Sequence, residues 1–414
     1  MKNRIGSVRR IVQKSEKWLK ESAERFDPFG WTDPEEKYDQ RKAFAELGMY
    51  VYVSEKLTGT ADPRLRDVFK NGVSSKSYTE LTQRYPEQAR MYAAPLACAA
   101  ELGFVDGDTV KSAQRVLDHP AIVQKERVPM RELDFAQLRV LVGLDPHVDI
   151  DDIVKRSALA TPPNFIWCGL NDAYVLTHDV FYCYEFGHTN RFLDDPSKYK
   201  LTTTFDGLSL RYLAHGHTDV ALELVMAGVL MEQISDATVN TIVDWIASVT
   251  AKRGFVPGPP DAKPMTLAGS EEVQGDNQNA GDEWQRNYHT NLIAAMTGKL
   301  LLSKRGDSLD LSAEVPDGTT TLAKTVDLLS KYKLREGAIK LNEAEFPDET
   351  YESVVSNCFD YIESQRNSEG TFGHWPDERH QFKQNGGNEA QFREQLVGGV
   401  SEKCQEVLEE FEER

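Results

Sequence analysis

The sequence predicts an all-α protein: a single α/α toroid, in which helical hairpins close into a ring around a central cavity. Apolar residues recur at helical spacing along most of the chain, and no convincing strand alternation interrupts them. Several segments, among them Tyr174–Phe186 (YVLTHDVFYCYEF) and Asp219–Gln233 (DVALELVMAGVLMEQ), lack a wide charged face, as helices buried on every side do. Others, such as Asn388–Glu412, are strongly two-faced and belong outside. Alternating inner and outer helices is the toroid pattern. An open superhelix would instead need a fixed repeat of about 34 to 47 residues, and none is found.

The elements follow in order. The N-terminus, MKNRIGSVRRIVQKSEKWLK, is basic but has neither the apolar stretch nor the cleavage site of a secretion signal. Residues 1–34 are therefore expected to form a helix packed outside the ring, with the toroid occupying 35–414. Tyr38–Lys56 is amphipathic and ends before Gly59. Pro86–Leu102 opens on a proline and stops at Gly103, the usual asymmetry of helix ends. Met130–Val142, Tyr174–Phe186, Leu208–Ala214, Asp219–Gln233, Ala237–Lys252, Trp284–Ser303, Leu322–Lys331, Tyr351–Gln365 and Asn388–Glu412 follow, with Gly, Pro, Asp and Asn at the joints. One long segment, Gly254–Glu283, has no helical pattern and ends directly at Trp284. A segment of that length in a compact domain is expected to be a mobile lid over the cavity.

Composition narrows the function. Of 414 residues, 48 are Lys or Arg and 66 are Asp or Glu, a net charge of −18. That balance argues against nucleic acid and anionic membranes, which need a cationic footprint. No apolar run is long enough to span a bilayer. The five cysteines are scattered, without CxxC spacing, so neither a disulfide framework nor a cysteine zinc site is expected, and a reducing cytoplasm is the expected compartment. Glycine-rich phosphate loops are absent.

Histidines carry the chemical signal. Thr177-His178-Asp179, His215-Gly216-His217-Thr218-Asp219 and Tyr288-His289-Thr290 each lead into a very apolar stretch, and Gly373-His374-Trp375 is a fourth candidate. A polar group facing a buried helix must be hydrogen-bonded or bound to something. The inner helices of a ring of hairpins run the same way, so helix starts at Thr177, Thr218 and Thr290 would gather His178, His217 and His289 at one mouth. Neutral imidazoles with a carboxylate suit Zn, Fe or Cu. Each histidine taken alone also fits a structural role or a helix cap, and the spacing matches no known ligand signature. Arg131, in the helix start Val128-Pro129-Met130-Arg131-Glu132-Leu133-Asp134, is a cation at a helix end that favours acids. It is a candidate anion clamp.

Two resemblances extend this reading. Tyr361, Ile362, Gln365, Gly370, Phe372 and Gly373 resemble the QW motif of squalene and terpene cyclases, in one copy and with Phe where Trp is usual. The motif implies a hairpin joint in a toroid and says little about reaction. Asp149-Ile150-Asp151-Asp152 spells the D-x-D-D acid of protonating cyclases, but it also reads as an ordinary helix-start cluster before IVKRSAL, and Asp151 would be the acid. Residues 125–300 resemble an uncharacterised all-helical family, a domain of unknown function. Its pattern is matched by Thr177, His178, Phe181, Tyr182, Phe186 and Gly187, and by Tyr288, His289 and Thr290. The resemblance implies one shared site and supplies no reaction.

The expected function is a metal-dependent enzyme acting on a small molecule or modified peptide in the toroid cavity, with natural-product tailoring as one setting. His178, His217, His289 and Asp219 are the expected ligands of a divalent transition metal (Fe, Cu or Zn). Tyr182, Tyr288, Arg131 and Asp179 are the expected catalytic or substrate-contacting groups. One alternative is a metal-free lyase or terpene-cyclase-like enzyme using the same His, Tyr and Asp groups as acid and base. Another is a non-catalytic small-molecule or peptide binder. No nucleic acid partner and no membrane insertion are expected.

Overall fold

The computed structural model describes residues 4–412 except 31–35, 86–87, 188–189, 194, 260–278, 305–308, 344–348, 367–370, 373–383, 385, 387 and 393–398. Among the described residues the protein is all helical. There is no strand, and Arg366 and Phe372 form an isolated antiparallel bridge. The first helices are α1 (Arg4–Glu21), α2 (Glu36–Thr58), α3 (Pro63–Val73), α4 (Lys76–Arg84), α5 (Ala89–Glu101), α6 (Gly107–Leu117), α7 (Pro120–Val123), α8 (Pro129–Leu141) and α9 (Ile150–Lys155). They are followed by α10 (Leu170–Cys183), α11 (Thr202–His215), α12 (Thr218–Met231), α13 (Asp236–Arg253) and α14 (Asn279–Lys304). The last are α15 (Thr319–Ser330), α16 (Leu334–Glu343), α17 (Glu352–Ser364), α18 (Glu389–Phe392) and α19 (Gly399–Glu412).

Local chemistry sets many of these boundaries. Asp62 accepts from the backbone N–H groups of Arg64 and Leu65, with Pro63 at the first helical position of α3. Ser75, Asp106 and Ser235 cap α4, α6 and α13 in the same way. Asp149 accepts from the N–H of Asp152 at 3.2 Å, so the Asp-rich run at 149–152 starts α9 as a helix cap. Gly216 and Gly254 end α11 and α13 in the left-handed region, at φ 80° and 85°, where a side chain would be strained.

The expected helices are present, but several are longer than their apolar pattern. α10 begins at Leu170 rather than Tyr174, because the backbone N–H of Gly169 donates to Asp172 Oδ2 at 2.7 Å and nucleates an earlier turn. α11 begins at Thr202 rather than Leu208, and α14 at Asn279 rather than Trp284. The expected helix Asn388–Glu412 falls on α18 and α19, with 393–398 outside the described residues. Most of the expected lid, at 260–278, and His374 and Trp375 also lie outside them.

Packing centres on α12, whose 14 residues are all buried. It touches α10, α11, α13 and α14. α14 in turn packs on α1 and α2, α2 on α5, α5 on α8, and α8 on α10. The N-terminal helix is firmly attached. Val8, Ile11, Val12 and Leu19 are buried, and the Arg4 guanidinium donates to the Ala313 carbonyl at 2.7 Å and pairs with Asp244 at 3.2 Å. The close approach of α1 to α14 requires Gly298. A Cβ there would lie 2.5 Å from Val12 Cγ2.

Gly298→Val is therefore expected to destabilise the protein by about 1–3 kcal/mol through overpacking. Val12→Ala in the same chain should recover part of that loss. Thermal unfolding of the single and double variants measures both, and additive losses would show that α1 does not meet α14 at Gly298.

Candidate functional site

Four helices in contact, α2, α10, α12 and α14, each carry polar side chains into one cluster. α12 starts with Asp219 in its first turn and places Glu223 one turn later on an otherwise apolar helix. A carboxylate so placed, with about 1% of its side chain exposed, requires partners. They come from two neighbours. His289 of α14 donates from Nε2 to Glu223 Oε1 at 3.2 Å, and Thr177 of α10 donates from Oγ1 to Glu223 Oε2 at 2.9 Å. The other ring nitrogen of His289, Nδ1, donates to Glu46 Oε2 of α2 at 3.2 Å. One imidazole thus ties α2 to α12 through α14.

His178 lies beside this triad, its Nδ1 3.9 Å from Glu223 Oε2. Nδ1 is 2.8 Å from the Tyr174 carbonyl oxygen, which can only accept, so Nδ1 carries a proton. Tyr174 also reaches across to α12, its hydroxyl donating to Asp219 Oδ2 at 2.7 Å. His178 and His289 are 28% and 30% exposed, so the cluster is open where the rings lie and closed around Glu223.

The charges are mutually set. Burial opposes a charged ring at His289, yet Glu46 and Glu223 outweigh it and raise the imidazole to about 10. Burial likewise opposes ionisation of Glu46, but Lys42, at 3.7 Å, and His289 bring it down to about 2. Glu223 is lowered against its own burial, chiefly by the His289 hydrogen bond and the charge of His178. Near neutral pH the triad is therefore carboxylate, imidazolium, carboxylate.

The structure brings some of the expected residues together and separates others. His178 and His289 meet at Glu223. They sit within α10 and α14 rather than at helix starts, because both helices begin earlier than their apolar pattern. His217 does stand at the start of α12, its Nδ1 4.0 Å from Asp219 Oδ1, and Asp219 in turn accepts from the Tyr174 hydroxyl. Tyr288 is buried against Trp284, rings stacked at 4.6 Å, and hydrogen-bonds Glu46. Tyr182 packs its ring edge-on to His178 at 5.8 Å. Asp179 is fully buried and accepts from the N–H of Ala158 at 2.9 Å, and burial pushes its carboxyl up to about 7. Arg131 is half-buried and pairs with Asp134 in its own helix at 3.7 Å. Among the described residues, Asp179 and Arg131 make their hydrogen bond and ion pair with Ala158 and Asp134, outside the triad. Among the described residues, no group of three or more His, Cys, Asp or Glu is disposed to hold a metal ion. At His289 the reason is visible, since both ring nitrogens already serve carboxylates.

Glu46, Glu223 and Tyr174 complete the site and were not among the expected residues. Glu223 had a signal, as a lone acid inside DVALELVMAGVL. Glu46, 243 residues from His289, had none.

Residues 12–298, which contain all of these groups, match a family described as a domain of unknown function (DUF6895). The chain belongs to that family. No curated protein and no solved structure matches it.

The triad should leave its mark on stability. The raised His289 contributes fully below its ordinary value of 6.5, and the contribution is lost as pH rises towards 10. The lowered Glu46 contributes fully above its ordinary 4.5, and the contribution is lost as pH falls towards 2. The stability difference between the wild type and His289→Gln, from denaturant unfolding across pH, should therefore be largest between those ordinary values and shrink on both sides. A difference independent of pH would refute the charge assignment. Glu223→Ala, which removes one of the imidazolium's two carboxylates, should cost about 1.5–3 kcal/mol.

Proposed function

We propose that this family member is an α/α-toroid enzyme whose lumen carries out proton transfer on a small molecule without a metal, as in a lyase or isomerase. Residues 1–34 would lie outside the ring, and 35–414 would make up the domain that contains it. The order of helix neighbours supports the ring: α14, α2, α5, α8, α10, α12 and back to α14, with α1 and α13 packed outside. The QW-like segment supports it in part. α17 ends at Ser364 with Gln365 as its cap, and Phe372 is buried beneath the Arg366 guanidinium at 4.5 Å. The Gln365 amide, however, donates to the Ser364 hydroxyl rather than across a hairpin.

The observation that carries the reading is the linked set Glu46, His289, Glu223 and His178, drawn from four of those six helices. His178 would be the general base. The Tyr174 carbonyl holds a proton on Nδ1 and orients the ring, and in the neutral ring Nε2 would be the nitrogen that takes a proton from substrate. His289 would be a fixed positive charge rather than an acid. Both its N–H groups are committed, and at about 10 it gives up a proton reluctantly. Such a charge, already in place, stabilises negative charge developing on substrate. Thr177, bonded to Glu223 and 3.3 Å from His178 Nδ1, would hold the two in register.

Turnover found by incubating the protein with small-molecule libraries should persist in EDTA and fall about 10²–10⁴-fold in His178→Gln. An unchanged rate in His178→Gln would refute the base assignment. Activity lost in EDTA and restored by one of Fe, Cu or Zn would support the metal-dependent alternative. Saturable binding without turnover would support the binder.

A further inference from the structure

The outer face of α1 is basic, although the chain as a whole carries a net charge of −18. One side of this helix, with Val8, Ile11, Val12 and Leu19, is buried, and α1 packs on α13 and α14. On the other side Arg9, Arg10, Gln13, Lys14, Lys17 and Lys20 recur at helical spacing, and all are exposed. The acids that reach this helix do not offset them. Glu16 turns inward and pairs with Lys299 at 2.9 Å. Glu21 pairs with Lys17 at 3.7 Å and Asp62 with Lys20 at 3.4 Å, while Arg9, Arg10 and Lys14 form no ion pair among the described residues. Trp18 meets Phe255 with ring centroids 5.4 Å apart, which brings the exposed Lys252 and Arg253, at the end of α13, near the same end of α1.

Such a face recognises negative charge, and its composition narrows the partner. It carries no apolar side chain, and the apolar side of α1 is already buried, so it lacks what an interfacial helix inserts into a bilayer. A bilayer or a nucleic acid duplex also extends far beyond one helix. It would set its phosphates against the flanking surface of a chain whose balance is strongly acidic. A single acidic helix covers the basic row alone.

The chain itself carries such a helix. Glu402, Glu406 and Glu409 of α19 are exposed, while Cys404, Val407 and Leu408 are buried. α19 packs on α16 and α17, not on the helices that hold α1. Lys403 pairs with Glu406 at 2.8 Å, and Glu402 and Glu409 have no cation partner among the described residues. The two rows match in spacing. Positions 402, 406 and 409, like 10, 14 and 17, advance by four residues and then by three. Each row therefore keeps to one face of its helix and spans about 10 Å, so the rows can lie side by side with every cation opposite a carboxylate.

We propose that α1 of one copy docks on α19 of another, with Arg10, Lys14 and Lys17 opposite Glu402, Glu406 and Glu409. Because the two faces differ, the contact joins copies head to tail. Sedimentation velocity of the full-length protein over a range of concentrations tests this. The protein should self-associate at about 0.1 M salt, where screening over about 10 Å confines the general repulsion between acidic molecules. It should dissociate at about 1 M, where screening reaches about 3 Å. Reversing one face, by Arg10→Glu, Lys14→Glu and Lys17→Glu together or by Glu402→Lys, Glu406→Lys and Glu409→Lys together, should weaken self-association at least 10-fold. An equimolar mixture of the two reversed proteins should associate again, because the intact α19 of the first meets the intact α1 of the second. A protein that stays monomeric at the lower salt, association that survives both reversals, or a mixture that stays apart would overturn the proposal. So would a monomer that binds phosphatidylserine vesicles or duplex DNA through the same three cations. If a reversed protein does not fold, Arg10→Gln with Lys14→Gln and Lys17→Gln tests the same contact, and unchanged association in that variant would also overturn it.

Discussion

The described helices around α12 are tied together by one partly buried imidazolium, that of His289. α12 is enclosed on all sides, yet it carries Glu223 in its interior, and an unpaired carboxylate there would prefer to neutralise or to pull the helix toward water. His289 resolves this by taking Glu223 on one ring nitrogen and Glu46 on the other. The same contact fixes the rotation of α14, because turning His289 toward α12 and α2 puts the neighbouring Tyr288 against Glu46 and Phe26. It also constrains α10, whose Thr177 completes Glu223.

Such an arrangement is a poor device for stability. A buried ion pair seldom outperforms a well-packed apolar substitute, because two charges have to leave water. Helices of this composition had apolar residues available for the same positions. The proposed role would give the imidazolium, flanked by carboxylates and open to solvent at the ring, a use as a charge held in place for a bound molecule.

Much of the fold was legible because helix periodicity is a local property. The apolar stretches of α10 and α12 and the helix stops at Gly59 and Gly103 can be read within a few residues. What periodicity misjudges is where polar residues extend a helix beyond its apolar core. Asn171 and Asp172 lengthen α10 by a turn, and residues 279–283 lengthen α14, which moved His178 and His289 from helix starts into helix interiors. Their shared neighbourhood was nevertheless readable from the buried contexts that follow them. The identity of the group between them was not, since Glu46 approaches from the far end of the sequence. Without Glu46 the histidines resemble metal ligands, and with it His289 has no ring nitrogen left to offer.

The protonation state of His289 tests this account most directly. Nitrogen-resolved NMR of the histidine side chains, near pH 8 and so above the ordinary histidine value of about 6.5, distinguishes the forms. The account predicts that both ring nitrogens of His289 carry protons there, with imidazolium shifts and two N–H signals protected from solvent exchange. A neutral ring with one bare nitrogen at that pH would contradict it.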